Sequence, residues 1–354
     1  MRVRTWLAAA AAAALLAACG GGDAPFSYEK TVVFGDSLSD VGTYQVGFVA
    51  GNGGGRWTIN GVPDNDLWVD RVASSVGTSR TCAAETGLQP NNGIPAVAVT
   101  AVTGCFNYAQ GSARITSPLG PNSVALQSAP FNQTTLGLMA KPIQQQIARH
   151  LAVSGNRFSS RDLVLVLAGA NDVFMEATFN GASPGLAVAN MQQYGTDLAN
   201  LIKNQIVANG AKRVLVLNIP SIADTPFGVA AGAPTAAFLD QLVTAFNGRL
   251  AAGLAGVPEV RLGDAYTVSR DQALNPSRYG ITNRTDRACS SDPMVNPLGG
   301  SALVCTATPN RLAVGVTTTT AQTYQFADDV HPTPYGHRLL ADFALQQLSI
   351  AGWR

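Results

Sequence analysis

Three short apolar runs recur along the chain: Thr31-Val32-Val33-Phe34, Leu163-Val164-Leu165-Val166-Leu167 and Val214-Leu215-Val216-Leu217. None alternates with polar residues. Each stops at a breaker: Gly35, then Gly169, then Asn218 with Pro220. Unbroken β-branched or leucine-rich runs are the pattern of parallel strands covered on both faces. Between them lie helical spacings. Ile143, Ile147 and Leu151 recur every four residues; Leu198, Leu201, Ile202 and Ile206 make a second stripe, and Phe238, Leu242 and Phe246 a third. A last helix is expected from near Pro334, carrying Leu339, Leu340 and Phe343. Strands separated by helices predict βαβ units with right-handed crossovers, and so an α/β fold: a three-layer α/β/α sandwich around a mainly parallel sheet.

Two stretches break this rhythm. Residues 47–66 hold Gly51-Asn52-Gly53-Gly54-Gly55 and Trp57; residues 270–325 are rich in Asn, Pro and Thr. Both are too long for simple connections and read as insertions or lids within one domain spanning 30–354. The glycine run follows no strand and is expected to be a flexible loop.

The N-terminus has its own pattern. Arg2 and Arg4 precede an uncharged Ala/Leu-rich run from Trp6 to Ala18. That run falls short of the ~20 apolar residues a bilayer span needs and fits a signal peptide over 1–18. It ends Leu16-Ala17-Ala18-Cys19, which resembles a bacterial lipoprotein cleavage box with Cys19 as the acylated residue. Residues 19–29 then read as a lipidated tether. The expected location is the cell envelope, as an outer-membrane lipoprotein because Gly20 rather than Asp follows Cys19, or otherwise the secreted fraction. A lipid anchor would be the only membrane contact.

Composition narrows the partners. Only 13% of the 354 residues are charged, and 23 Lys+Arg against 22 Asp+Glu leave a net charge of +1. Nucleic-acid affinity is driven by neutralising phosphates, and no basic block is present to do so. With Cys19 set aside, four of the five cysteines remain and allow three pairings. The local pairing, Cys82–Cys105 and Cys289–Cys305, is expected in an exported chain. No CxxC, HExxH, GxxxxGK[ST] or full GxGxxG occurs, so neither a metal nor an organic cofactor is expected.

The strongest chemical signal is Gly35-Asp36-Ser37-Leu38-Ser39-Asp40, at the carboxyl end of the first strand, where parallel sheets place their sites. A serine hydroxyl needs an adjacent base to act as a nucleophile. There are three histidines. His150 lies within a helix and His337 inside the terminal helix, and both read as helix-surface residues. His331, in Asp328-Asp329-Val330-His331-Pro332-Thr333-Pro334, is held out of the helix by prolines. Asp328, three residues earlier, is within reach of its Nδ1. Gly169-Ala170-Asn171-Asp172 supplies an amide donor suited to an oxyanion. Gly111, in Asn107-Tyr108-Ala109-Gln110-Gly111, could offer a backbone N–H at close approach.

In order, these four blocks resemble the GDSL, or SGNH, hydrolase family over residues 35–331. The resemblance implies a flavodoxin-like sandwich. It implies Ser37 as nucleophile, Asp328 and His331 completing the triad, and an oxyanion hole from the Ser37 N–H, the Gly111 N–H and the Asn171 side chain. Two positions depart from the family's habit: Thr43 stands where Asn is common, and Ser112 where a further Gly or Ala is frequent. The function implied is serine-dependent hydrolysis of carboxylic esters, either acyl lipids or small or aromatic esters, through an acyl-enzyme. The alternatives are an acyltransferase using an alcohol acceptor, and a non-catalytic envelope lipoprotein that binds lipid or glycan. Phe48, Val49 and Trp57 lean towards acyl or aromatic substrates. Oligomeric state is not readable.

Overall fold

The three apolar runs fold as neighbouring parallel strands, β1 (Lys30–Gly35), β4 (Asp162–Leu167) and β5 (Val214–Leu217), in a computed structural model that describes residues 26–354 apart from Asn92. A fourth strand, β6 (Val260–Gly263), extends the sheet in the order β1-β4-β5-β6. Along the free side of β1 the segment 106–110 adds ladder bonds: Val33 N–H to the Phe106 carbonyl (3.0 Å), Tyr108 N–H to Val33 (2.8 Å) and Gln110 N–H to Gly35 (3.1 Å). The spatial order thus reverses at β1, which puts a crevice between the carboxyl ends of β1 and β4. A separate antiparallel pair, β2 (Glu85–Leu88) and β3 (Val97–Ala101), lies outside this sheet.

Successive strand residues point to opposite faces. Phe34, Val166 and Val216 pack into one core with α2 (Ile143–Val153), α4 (Pro184–Leu201) and α5 (Ala233–Leu254). Val33, Leu165 and Leu215 pack into the other with α1 (Trp68–Ser75) and α7 (Pro334–Ile350). This is the expected three-layer α/β/α sandwich. It explains why the strands read as unbroken apolar runs.

Both expected disulfides form, Cys82–Cys105 and Cys289–Cys305, as suits an exported protein. Among the described residues no helix is long and apolar enough to cross a membrane. The signal-peptide region 1–18 and Cys19 lie outside the described residues. The segment read as a tether over 19–29 is not one in its final part. The Arg213 guanidinium stacks on the Phe26 ring at 3.4 Å, and Tyr28 is buried with its hydroxyl donating to the Trp353 carbonyl at 2.8 Å.

The two insertions pack on each other. Gly55 N–H donates to the Leu303 carbonyl (2.9 Å), Asn60 N–H to Cys305 (2.8 Å) and Ala307 N–H back to Asn60 (3.1 Å). A Cβ on Gly54 would lie 2.1 Å from the Leu303 oxygen. The glycine run is therefore a close backbone contact between the insertions, not a flexible loop. Val49 sits in a buried cluster and Phe48 is half-buried, and neither lines the cavity that borders Ser37.

His150 and His337 are both fully buried, contrary to the surface placement expected for them. His150 follows Ile143 and Ile147 on the inward face of α2. Its ring is surrounded by the rings of Phe34, Phe106, Tyr108 and Phe158, with Nδ1 3.2 Å from the Tyr108 hydroxyl. Desolvation pushes its pKa down to about 4 and that of His337 down to about 3.

Candidate active site

Gly35 closes β1 because nothing larger fits: a Cβ there would meet the Leu167 carbonyl oxygen of β4 at 2.6 Å. The Gln146 amide grips the same peptide from α2, accepting from Gly35 N–H (3.0 Å) and donating to its carbonyl (2.9 Å). Beyond it the chain turns sharply. Ser39 N–H returns to the Asp36 carbonyl at 3.1 Å, and Trp68 donates its indole N–H to Ser39 Oγ at 3.1 Å. This turn carries Ser37 to the crevice at the carboxyl edge of the sheet.

His331 arrives from the other end of the chain. Thr333 caps α7 by accepting from Gly336 N–H at 3.1 Å, and Pro334 opens the helix, so His331 stays in the preceding extended segment. Its Nε2 is 2.9 Å from Ser37 Oγ, and its Nδ1 lies 2.9 and 2.8 Å from the two Asp328 oxygens. Asp328 also accepts from the N–H groups of Ala302 (2.8 Å), Val330 (3.0 Å) and His331 (2.8 Å). Burial alone would raise its pKa. The His331 charge and these donors outweigh burial and hold the carboxyl below the usual carboxylate value. It is therefore ionised at neutral pH, which fixes Nδ1–H as the donor and leaves Nε2 to accept from serine.

Asn171 is the second residue of α3 (Ala170–Phe179), just after Gly169 in the left-handed region at φ 116°. Its amide donates one hydrogen to the Ala113 carbonyl at 3.0 Å, and the residue borders the same cavity as Ser37 and His331. Asp172 ties this helix to the opposing loop by a 2.8 Å contact with Arg114 and by accepting from Ile115 N–H at 3.1 Å.

Gly111 is not placed as expected. Its N–H donates to Asp40 Oδ2 at 2.9 Å and is thus committed. Its lack of a side chain serves another purpose: a Cβ would lie 2.4 Å from Trp57 Cζ2, so the indole rests directly on this peptide. The next residue, Ser112, borders the cavity instead, with φ 70° and an N–H that finds no acceptor among the described residues. Ser112, not Gly111, thus presents an uncommitted N–H at the cavity. The signal was its position beside Gly111, where glycine is frequent, since a left-handed φ favours glycine.

Asp36 is buried beside the nucleophile. One oxygen accepts from Leu38 N–H at 3.1 Å and the other has no hydrogen bond among the described residues. Burial pushes its pKa up to about 7, against the Leu38 N–H and the nearby His331 charge. Trp57, from the insertion over residues 47–66, packs beside the base. It lies 4.7 Å from His331, ring centre to ring centre, with the planes 32° apart.

The sequence profile of the GDSL-like lipase/acylhydrolase family matches residues 31–344. The chain belongs to that family. As a GDSL-family protein it acts by ester hydrolysis or acyl transfer, the chemistry common to the group. It is similar to a phosphatidylcholine-sterol acyltransferase of Aeromonas hydrophila, at 22% identity over 90% of each chain. Among solved structures it is similar to an acetylxylan esterase of Geobacillus stearothermophilus (13% identity, 94% of this chain and 98% of that one, TM-score 0.41). It is also similar to LAE5, an α/β hydrolase from a Lake Arreo metagenome (13% identity, 93% and 97%, TM-score 0.41).

Proposed function

We propose that this GDSL-family protein hydrolyses carboxylic esters through an acyl-enzyme on Ser37. The observation that carries this reading is the line Ser37 Oγ, His331 Nε2, His331 Nδ1, Asp328, each link 2.8–2.9 Å. His331 takes the Ser37 proton as Oγ attacks the ester carbonyl carbon. The tetrahedral oxyanion is held by the Ser37 N–H, the Ser112 N–H and the free hydrogen of the Asn171 amide. When the C–O bond breaks, His331 returns the proton to the departing alcohol. Water then repeats the sequence on the acyl-enzyme and releases the acid.

A cavity of about 800 Å³ that borders Ser37 supports a substrate class. Its lining includes Leu126, Phe174, Phe179, Ile219, Val268 and Phe343. Such walls favour esters with aliphatic or aromatic parts, at about 0.8 kcal/mol per buried CH₂. A fluorophosphonate should label Ser37 stoichiometrically, and a chromogenic ester panel should rise in kcat/KM with acyl length before falling. No labelling of the folded protein would reject the serine mechanism.

Similarity to a phosphatidylcholine-sterol acyltransferase favours one second reading, in which an alcohol replaces water in deacylation. Adding a sterol or simple alcohol would then give a transesterified product in preference to acid. For location, we propose export through residues 1–18 and acylation at Cys19. Radiolabelled palmitate should enter the wild type and not Cys19→Ser.

A further inference from the structure

Trp57 belongs to the 47–66 insertion, yet it is packed between the two halves of the site. One face covers the His331 ring. Its edge rests on the Gly111 peptide, where no Cβ would fit. Its Nε1–H points to Asp40 Oδ2 across a long 3.4 Å contact, and that same oxygen accepts from Gly111 N–H at 2.9 Å. The other Asp40 oxygen accepts from Gly42 N–H (3.1 Å) and Thr43 N–H (2.8 Å), which fixes the carboxylate in the turn that also carries Ser37. Thr58, the next residue after Trp57, donates to the Pro332 carbonyl beside His331 at 3.0 Å.

We propose that Trp57 and Asp40 are positioning residues for the acyl-transfer step. Asp40 holds the indole and the Gly111–Ser112 peptide in one register, and the indole holds the imidazole plane.

The physical need is clear from the geometry of His331. Its bonds to Asp328 and Ser37 both lie along ring nitrogens. They resist displacement in the ring plane but not rotation about the Asp328–Nδ1 direction, which would carry Nε2 away from Ser37. A flat indole against one face blocks that rotation and excludes water from it. The same Asp40 oxygen orients Gly111, and so sets the direction of the following Ser112 N–H. One buried carboxylate three residues after the nucleophile thereby ties together the nucleophile turn, the oxyanion loop and the base. Misplacement by about 1 Å at such a site costs roughly 10²-fold in rate.

This inference rests on the proposed roles of Ser37 and His331, and its test separates the two. The rate of fluorophosphonate labelling at Ser37, with kcat and KM for a short chromogenic ester and the thermal midpoint, is measured for Trp57→Phe, Trp57→Leu and Asp40→Asn. Trp57→Leu stays apolar but loses the flat ring and much of the volume; it should lose roughly 10²-fold in labelling rate and in kcat, with KM within about threefold. Trp57→Phe keeps the ring and should recover to within about tenfold of wild type. Asp40→Asn should show the same signature as Trp57→Leu at smaller size. A Trp57→Leu protein that is folded and labels at the wild-type rate overturns the proposal, as does a rise in KM at unchanged kcat. A lowered midpoint with an unchanged labelling rate assigns these residues to packing alone. If wild type itself does not label, it is the serine mechanism that fails.

Discussion

The two halves of the site are supported by different architectures. Ser37 stands on the turn leaving β1 and Asn171 at the start of the helix that follows β4, beside a core of large side chains that includes Phe34, Val166 and Phe246. Asp328 and His331 stand on a loop whose support is a small cluster: Ala288, Ala302, Leu312, Val316 and Ala327 around the Cys289–Cys305 bond. Ala288 N–H and Cys289 N–H bond the Phe326 and Ala327 carbonyls, and Ala302 N–H bonds Asp328 itself. The nucleophile side thus draws its rigidity from the sheet. The acid–base side draws its own from a cross-linked insertion that has little apolar area to bury.

The comparison is broken most severely by removing one reacting group from each side. Ser37→Ala and His331→Ala should each lower kcat by roughly 10⁴- to 10⁶-fold, and the double variant no further, since the groups act as a unit. Losses that multiply would separate the halves functionally. Asn171→Ala should cost about 10²- to 10³-fold in kcat at constant KM; an effect on KM alone would make the amide a substrate contact.

Removing each disulfide sharpens the contrast. Paired Cys→Ser replacement at Cys289 and Cys305, or at Cys82 and Cys105, should destabilise by about 3 kcal/mol, given loops of 16 and 23 residues. In urea, only the Cys289/Cys305 variant should lose ester hydrolysis before its helical circular dichroism. Coincident transitions in both would show that the insertion is no weaker than the sheet.

The smallest expected effect concerns the buried histidine behind the site. The His337 ring is fully buried against the Trp57 backbone, and this burial lowers its pKa to about 3. Unfolded, it would take up a proton near 6.5. The stability it secures by staying neutral is complete above 6.5 and is lost as pH falls towards 3. Asp36 and Asp172, raised to about 7 and about 6 by burial, act in the opposite sense: they hold protons when folded, and their contribution declines as pH rises from 3.8. The difference between wild type and His337→Gln cancels those carboxyls. The variant's thermal midpoint, relative to wild type, should rise steadily between pH 6.5 and 4. A constant difference would mean that His337 is protonated in the folded protein.

What the sequence made legible followed from burial on two sides. β1, β4 and β5 are inner strands, so they appear as apolar runs. β6 is flanked on one side only and its Val260-Arg261-Leu262 stretch is half-buried, so it carries no such run. The β2–β3 pair was likewise hidden, since most of β3 is exposed. In the site, Ser37, Asp328, His331 and Asn171 were legible from their blocks. Gly111 was misread because a glycine that lets an indole approach looks the same in sequence as one that bares an N–H. The Trp57–His331 contact joins residues far apart in the chain, and no local pattern reports it. His150 could have been found: it follows Ile147 by three residues, on the face that looks to the sheet.

The docked start of the domain gives the molecule an orientation. Phe26 and Tyr28 lie by Arg213 and Trp353, at the amino ends of the strands, whereas Ser37 lies past the carboxyl end of β1. Six residues of strand, about 20 Å of rise, separate the two poles. A molecule held by the segment before Phe26 would therefore turn its cleft outward. In such an arrangement esters would reach the site from the surroundings.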